Sequence, residues 1–170
     1  MEVRRLRILG VDPGYGIVGI GVIEISGNRI SHVFHGVIET SKDLPRGKRL
    51  KQIYEEFVRI LDTFSPDECA LEKLFFVKNV TTAIGVGEAR GVIFLALEEK
   101  NVPVFEYAPN EVKISLTGYG KASKKQIQEN VKRFLGLSKL PQPDDAADAL
   151  AIAWCHALQS RMRRVTHGKD

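Results

Sequence analysis

The chain has 170 residues, of which 44% are hydrophobic and 27% are charged, and its net charge is +4. This length is typical of one globular domain and excludes most two-domain enzymes that close around ATP, while the composition argues against intrinsic disorder. The mild basic excess is compatible with a polyanionic partner but does not require one.

The first forty residues are predicted to form three strands joined as an antiparallel meander. Residues 6–12 are a short apolar run that ends in an acid before Pro-Gly, which is a strong turn signal. Residues 17–25 are rich in β-branched side chains, and Ser26-Gly27-Asn28 is typical of a hairpin turn leading into a strand over residues 29–40.

Helices alternate with strands in the rest of the chain, as apolar spacing and turn residues indicate. Pro66 ends the first helix, and Ser123 with Gln126 forms a capping-box pattern before a later helix. The predicted elements are a helix over 48–64, a strand over 67–72, a helix over 81–100, a strand over 102–107, a helix from 109 to the stop at 118, a helix from 124 to just before 136, and a last helix from 144 or 145 past 154.

The order βββ-α-β-α-β-α-α-α predicts an α/β domain with a mixed five-stranded sheet, in which an antiparallel meander is joined to parallel strands and flanked by helices. Right-handed crossovers would place the later strands beside the first. This order is expected of a ribonuclease H-like fold, and three consecutive hairpin-connected strands disfavour the flavodoxin-like alternative. We predict one domain over residues 1–160 and a frayed basic tail over 161–170.

Cysteine usage and hydropathy indicate the cellular compartment. Cys69 and Cys155 lie far apart, with no paired spacing typical of zinc or redox motifs, so a reduced compartment is expected. No segment approaches the ~18 uninterrupted apolar residues of a membrane span, and the apolar run at the start is too short for a signal peptide. We therefore expect a cytoplasmic protein without membrane contact.

Four acids stand where acids are locally disfavoured. Asp12 and Glu72 follow apolar runs at the carboxyl ends of two predicted strands, where open α/β sheets bind ligands. Asp145 and Asp148 are three residues apart in a predicted helix and share a face. Gathered together, the four would repel one another unless a divalent cation bound, and an all-oxygen ligand set suits Mg²⁺ or Mn²⁺. Two ions roughly 4 Å apart, with Asp12 bridging both, would activate water and stabilise the leaving oxygen of a phosphodiester.

Each acid also has a purely structural interpretation. Asp12 before Pro-Gly is typical of a turn cap, Glu72 of a strand end that faces solvent, and Asp145 of a helix N-terminus. Asp148 fits such an interpretation less well because its neighbours are apolar, and an acid in such a run needs water, a partner or a metal.

The histidines show no metal-ligand pattern. His156 returns to nearly the same helix face as Asp145 but lies roughly 16 Å further along the axis. We therefore expect His156 to be a surface or interface residue. His32 and His35 lie in a predicted strand.

Basic and aromatic residues near the acids favour a nucleic-acid surface. Between Glu111 and Arg133 the chain has six basic residues against two acids. Lys124 lies in the first turn of a predicted helix, where exposed N–H groups can receive phosphates. Phe75, with the phenylalanine that follows it, can stack on unpaired bases. A solvated basic face and ordinary core packing are the alternative interpretations.

Five motifs together resemble the RuvC-type Holliday junction resolvases, the crossover junction endodeoxyribonucleases. They span residues 9 to about 156 in the order GVDPGYGIVGIGV, LEKLFFVKN, GEARGV, PVFEYAPNEVK and DDAADALAIAWCH. The resemblance implies a ribonuclease H-like homodimer that makes paired, symmetric nicks in four-way DNA junctions during recombination and repair. It also implies Mg²⁺ dependence, with two ions per subunit expected, and the branch-migration proteins RuvA and RuvB as partners.

The same resemblance implies roles for individual residues. Asp144 is an extra acid before the motif and is not counted as a ligand, and some relatives place histidine where this chain has Asp145. The implied catalytic and metal-binding acids are Asp12, Glu72, Asp145 and Asp148. The implied DNA-binding residues are Phe75, which would help to open bases at the crossover, and Lys113 and Lys124.

Two other functions compete with this interpretation. A sugar or acetate kinase-like ATPase also uses an Asp-x-Gly turn before a β-hairpin, but it needs two such domains and a second phosphate loop. A catalytically idle junction-binding module is the other alternative, and the presence of all four acids argues against it.

Overall fold

The computed structural model describes residues 5–74 and 80–167, with side chains described as far as residue 163. Within these ranges the chain forms five strands and five helices. In chain order they are β1 (Arg5–Asp12), β2 (Ile17–Ser26), β3 (Arg29–Glu39), α1 (Arg46–Phe64), β4 (Glu68–Glu72), α2 (Val80–Glu99), β5 (Val104–Tyr107), α3 (Pro109–Thr117), α4 (Lys124–Leu135) and α5 (Asp144–His167).

The five strands form one mixed sheet in the order β3-β2-β1-β4-β5. Strands β1, β2 and β3 pair antiparallel, whereas β4 pairs parallel with both β1 and β5. This arrangement confirms the predicted mixed five-stranded sheet. It also places the carboxyl ends of β1, β3, β4 and β5 at one edge of the sheet, which we call the carboxyl edge.

Local turn chemistry sets the helix ends, as predicted. Helix α3 ends at Gly118, which has a left-handed φ of 80°. Ser123 and Gln126 form the predicted capping box of α4: the Ser123 hydroxyl accepts from the Gln126 amide at 3.2 Å, and the Gln126 side chain accepts from the Ser123 amide at 2.9 Å. Gly136, with φ 65°, ends α4.

The sheet separates two hydrophobic cores. Helices α1 and α2 pack on one face around side chains such as Phe57 and Ile93. Helices α3, α4 and α5 cover the other face around Ile8, Leu150 and their neighbours. Burial on both faces explains why β1, β2 and β4 are largely continuous apolar runs.

Helix α5 lies unusually close to the sheet because three glycines face it. A Cβ atom added to Gly10 would lie 2.1 Å from the carbonyl oxygen of Ala149, and one added to Gly19 would lie 2.0 Å from that of Asp145. At Gly21 the nearest atom would be the Leu150 amide nitrogen, at 2.6 Å. The glycines therefore allow the α5 backbone to rest directly on β1 and β2.

The expectation that His156 lies at a surface or interface is wrong. His156 is fully buried, with its Nε2 2.6 Å from the Glu68 carboxylate and its Nδ1 2.6 Å from the Tyr107 hydroxyl. Burial lowers the pKa of His156, so the neutral ring donates to Glu68 and accepts from Tyr107. The sequence interpretation failed because α5 crosses the sheet as far as β4 and β5, which cover the histidine.

Residues 161–167, which were predicted to belong to a frayed tail, continue helix α5 to His167.

By length and composition α2 is the one helix in the described ranges that could cross a membrane, with a mean hydropathy of 1.5 over 18 residues. This is weak evidence, because packed helices of soluble proteins pass the same test. Glu88 and Arg90 interrupt its apolar run.

We expect Gly10→Ala to lower the free energy of unfolding by about 2–3 kcal/mol, because the added methyl group overlaps the α5 backbone. Urea denaturation measures the change. Gly47→Ala in α1 is the matched control, because no atom lies within 4 Å of its added Cβ. Equal stability of the two variants would contradict the close packing of α5.

Candidate active site

Four acids converge near the carboxyl edge of the sheet. Asp12 is the last residue of β1, Glu72 is the last residue of β4, and Asp145 and Asp148 lie in the first turns of α5. The backbone of Asp145 rests against Gly19, which pairs with Asp12 across β1 and β2. The glycine contacts of α5 therefore bring its acids toward the strand ends.

A cavity of about 270 Å³ contains most of the predicted site. Asp12, Glu72 and Asp148 line it together with Lys113 and Lys124. The rest of its wall is apolar and comes from α3, α4 and α5. Asp145 is not among the lining residues, although its charge acts on Asp12.

Asp12 has the most strongly perturbed environment of the four acids. Burial, as the largest cause, raises the pKa of Asp12 from 3.8 to about 8. The negative charges of Glu72, Asp148 and Asp145, in that order, are the other causes of this increase. The positive charge of Lys124 lowers the pKa of Asp12 but offsets only part of the increase. The site therefore holds more negative charge than its own basic residues compensate.

Burial also raises the pKa of Glu72, and the charge of Asp148 adds to the increase. A hydrogen bond with Asp12 and the charges of Arg90 and Lys113 act in the opposite direction. Arg90 is 8% exposed and donates to the backbone carbonyl of Glu72 and to the Glu106 carboxylate. Arg90 therefore fixes the backbone at the end of β4.

Lys124 is the basic residue that contacts the acids of α5. Its Nζ lies 3.4 Å from a carboxylate oxygen of Asp144 and 3.4 Å from one of Asp148. Burial raises the pKa of Asp148, while the charge and hydrogen bond of Lys124 lower it. Gln128 also donates to Asp144 at 3.0 Å. Asp144 is thus tied to α4 by two side chains.

The donor set fits a divalent cation. Carboxylate oxygens are the ligands that Mg²⁺ and Mn²⁺ prefer, and mutual repulsion among buried carboxylates is relieved by a cation. In this side-chain arrangement, no three Asp, Glu, His or Cys residues of the described ranges are grouped so as to hold a metal ion. Lys124 contacts Asp148, and Asp12 is hydrogen-bonded to Glu72. Metal binding would have to replace these two contacts.

The predicted DNA-binding residues have different outcomes. Lys113 and Lys124 both line the acidic cavity. Phe75 lies outside the described residues. Arg90 was not predicted from the sequence as a site residue, although the motif GEARGV contains it. A lone arginine in a largely apolar helix was the signal that could have identified it, because a buried charge requires a partner.

A family model described as crossover junction endodeoxyribonuclease RuvC matches residues 8–156. The chain belongs to the RuvC family. It is 84% identical over 165 residues to the RuvC protein of Thermotoga maritima, covering 97% of this chain and 98% of that relative. It is 60% identical over 156 residues to the RuvC protein of Thermosipho melanesiensis, covering 92% and 99%. These matches confirm the resemblance found in the motifs.

Solved structures support the same assignment. T. thermophilus RuvC in complex with a Holliday junction substrate matches with a TM-score of 0.88 and 36% identity, covering 92% of this chain and 96% of that one. The yeast mitochondrial Holliday junction resolvase Ydc2 matches at 14% identity with a TM-score of 0.66, covering 95% and 84%, which bears on the fold alone. The predicted ribonuclease H-like fold is confirmed.

We expect Asp12→Asn to stabilise the protein at pH 8 when no divalent ion is present. The folded state raises the pKa of Asp12 to about 8, whereas the unfolded carboxyl ionises near pH 4, so stability falls as the pH rises between these values. The neutral amide avoids this loss, and we expect a gain on the order of 1–3 kcal/mol at pH 8 and none at pH 4.

Chemical denaturation in EDTA at the two pH values measures this difference. Asp62→Asn is the control, because Asp62 is exposed near the end of α1, and no residue of α1 lines the acidic cavity. A gain of the same size at both pH values, or a gain in the control, would contradict the proposed repulsion.

Proposed function

We propose that the chain resolves four-way DNA junctions by paired, symmetric nicking in recombination and repair. The observation that carries the proposal is the shared cavity of Asp12, Glu72 and Asp148 with Lys113 and Lys124, in a chain of the RuvC family. Carboxylates beside lysines in one cavity suit phosphodiester hydrolysis, because they combine metal ligands with groups that bind phosphate.

Two Mg²⁺ ions per subunit would be held by Asp12, Glu72, Asp145 and Asp148, and Mn²⁺ would be a substitute. The ions would supply an activated water and stabilise the leaving oxygen. Asp12 is the acid best placed to share a cation with Glu72 and with the two acids of α5, because it interacts electrostatically with all three. Arg90 fixes the backbone of Glu72 and thereby limits the movement of that ligand.

Lys113 and Lys124 would orient the scissile phosphate from the α3 and α4 side of the cavity. Lys124 contacts Asp148 in this structure, so binding of a phosphate would exchange one anionic partner for another. Phe75, three residues after Glu72, would stack on bases at the crossover, where a base–aromatic contact is worth ~1–3 kcal/mol. The roles of Phe75 and Lys113 follow from the family motifs that contain them, and that of Lys124 follows from its position after the glycine turn.

Two symmetric nicks require two active sites, and each chain carries one, so we propose a homodimer. The outer face of α2 exposes apolar side chains: Val80 is 70% exposed, Ile84 51% and Leu95 55%. Gly87 and Gly91 lie between them on the same face, and no atom lies within 4 Å of a Cβ added to either. This face suits close, two-fold packing against α2 of a second copy.

Family membership supports the branch-migration proteins RuvA and RuvB as partners. A DNA substrate supports a cytoplasmic location, as do the free, buried thiols of Cys69 and Cys155.

We expect Ile84→Asp to convert the dimer to monomers, because it places a charge in the centre of the apolar α2 face. Sedimentation velocity measures the mass of both proteins. Ile114→Asp is the matched control, since Ile114 is 47% exposed on α3 and outside the proposed interface. A wild-type monomer, or an Ile84→Asp dimer as stable as the wild type, would contradict the α2 interface.

We expect Asp12→Asn to reduce junction cutting by roughly 10³-fold or more, because several kcal/mol of transition-state stabilisation are lost with the metal ligand. Junction affinity should stay the same or increase, because one negative charge is removed from the DNA-facing cavity. Cutting of a synthetic four-way junction and a linear duplex, with and without Mg²⁺, measures activity, and a gel-shift assay measures affinity.

The exposed control Asp62→Asn should cut like the wild type. Wild-type activity of Asp12→Asn in Mg²⁺ would refute the metal-site assignment. Equal cutting of the junction and the linear duplex by the wild type would refute structure-specific resolution.

A further inference from the structure

A second strongly basic surface lies outside the acidic cavity, at the start of α1. Residues 42–51 contain five basic residues and one acid, so this short segment alone carries a net charge equal to that of the whole chain. No acid lies in the first turn of α1. We define the α1 basic surface as Lys42, Arg46 and Lys48, all of which are exposed.

The α1 basic surface lies at the same edge of the sheet as the acidic site. Strands β1 and β3 both run antiparallel to β2, so their carboxyl ends lie at the same edge. Glu39 pairs with Ile17, two residues from the pairing of Asp12 with Gly19. The chain leaves β3 after Glu39 and enters α1 at Arg46, so the α1 basic surface follows directly from the carboxyl edge.

Hydrogen bonds fix this segment to the turn that follows Asp12. The Thr40 amide donates to the Gly16 carbonyl at 2.9 Å, and the Thr40 hydroxyl donates to the Tyr15 carbonyl at 2.8 Å. Arg49 donates to Thr40 at 3.0 Å and to the Tyr15 carbonyl at 3.3 Å, with its guanidinium 3.7 Å above the Tyr15 ring. Arg49 is thus an anchor, and the neighbouring basic residues are held at a fixed position relative to the active site.

The basic residues of this surface are available to a ligand. Among the described residues, Lys42 and Lys48 have no side-chain ion pair. Arg46 pairs with Glu88 of α2, yet its side chain is 57% exposed. These side chains therefore present positive charge to solvent.

The two basic regions stand on opposite sides of the sheet. Lys113 and Lys124 belong to the α3, α4 and α5 layer, whereas α1 packs on the other face with α2. The acidic cavity is lined by the ends of β1 and β4 and by residues of the α3, α4 and α5 layer. Duplex arms diverge from the crossover of a four-way junction, so a strand cut at this edge continues away from the cavity into an arm that needs its own phosphate contacts.

We propose that the α1 basic surface binds the phosphate backbone of a duplex arm of the junction, outside the crossover. The inference rests on the proposed function and adds an arm-binding surface to it. Such contacts position the DNA without reading its sequence, and each adds to the salt dependence of binding. The arm would extend from the active site across the start of α1, on the side of the sheet opposite Lys124.

The test compares two double charge reversals in an Asp12→Asn background at constant Mg²⁺. Lys42→Glu with Lys48→Glu changes the α1 basic surface. Arg5→Glu with Arg29→Glu makes the same change in net charge at the opposite edge of the sheet, roughly 20 Å or more from the carboxyl edge. All four residues are exposed, and circular dichroism checks that each protein is folded.

Fluorescence anisotropy of a labelled four-way junction and a linear duplex, between 50 and 200 mM salt, measures affinity and its salt dependence. We expect the slope of log K against log salt to become less negative by about 1.8 in the Lys42/Lys48 variant, since each lost phosphate contact removes about 0.9 from its magnitude. The Arg5/Arg29 variant should change the slope by much less.

Equal slopes for the two variants would overturn the arm-binding surface, because net charge alone would then explain the effect. A background protein that prefers the junction over the duplex, with an unchanged slope in the Lys42/Lys48 variant, would overturn this inference and leave the proposed function standing. No preference for the junction would overturn the proposed function and the inference together.

Discussion

The contact between helix α5 and the first two strands determines where the acidic site forms. Gly10, Gly19 and Gly21 leave no side chain between the α5 backbone and the sheet, so the helix crosses β1 and β2 at the closest distance a backbone allows. This contact carries Asp145 and Asp148 to the edge where Asp12 ends β1. A larger side chain at any of these glycines would separate the acids that must act together.

Without a cation, the repulsion among these buried acids is unfavourable, and the other charged residues of the site compensate for part of it. Burial and mutual repulsion raise the pKa values of Asp12, Glu72 and Asp148, while Lys124 and Arg90 supply partial compensation. The net charge of +4 is an average over two kinds of surface. Without the four site acids, 17 acids remain against 25 basic residues, so the surface that would face DNA is more basic than the net charge suggests.

The order and ends of the elements were predictable because local chemistry determines them. Gly118 and Gly136 end helices and Ser123 begins one, through backbone angles and hydrogen bonds written in adjacent residues. The burial of His156 and the role of Arg90 were not predictable in this way. Periodicity shows which residues share a helix face, but only tertiary packing decides what covers that face. The convergence of Asp12 with Glu72 was expected from strand ends, whereas the contact of Lys124 with Asp148 depends on how α4 packs against α5.

We propose that the acids at the carboxyl edge form a divalent-metal site. Anomalous diffraction from crystals grown with Mn²⁺ tests it most directly, because the metal is located independently of activity. We expect anomalous peaks next to the carboxylates of Asp12, Glu72, Asp145 and Asp148, with Lys124 displaced from Asp148. Full Mn²⁺ occupancy at other residues, with the Lys124 contact and the Asp12–Glu72 hydrogen bond intact, would contradict it.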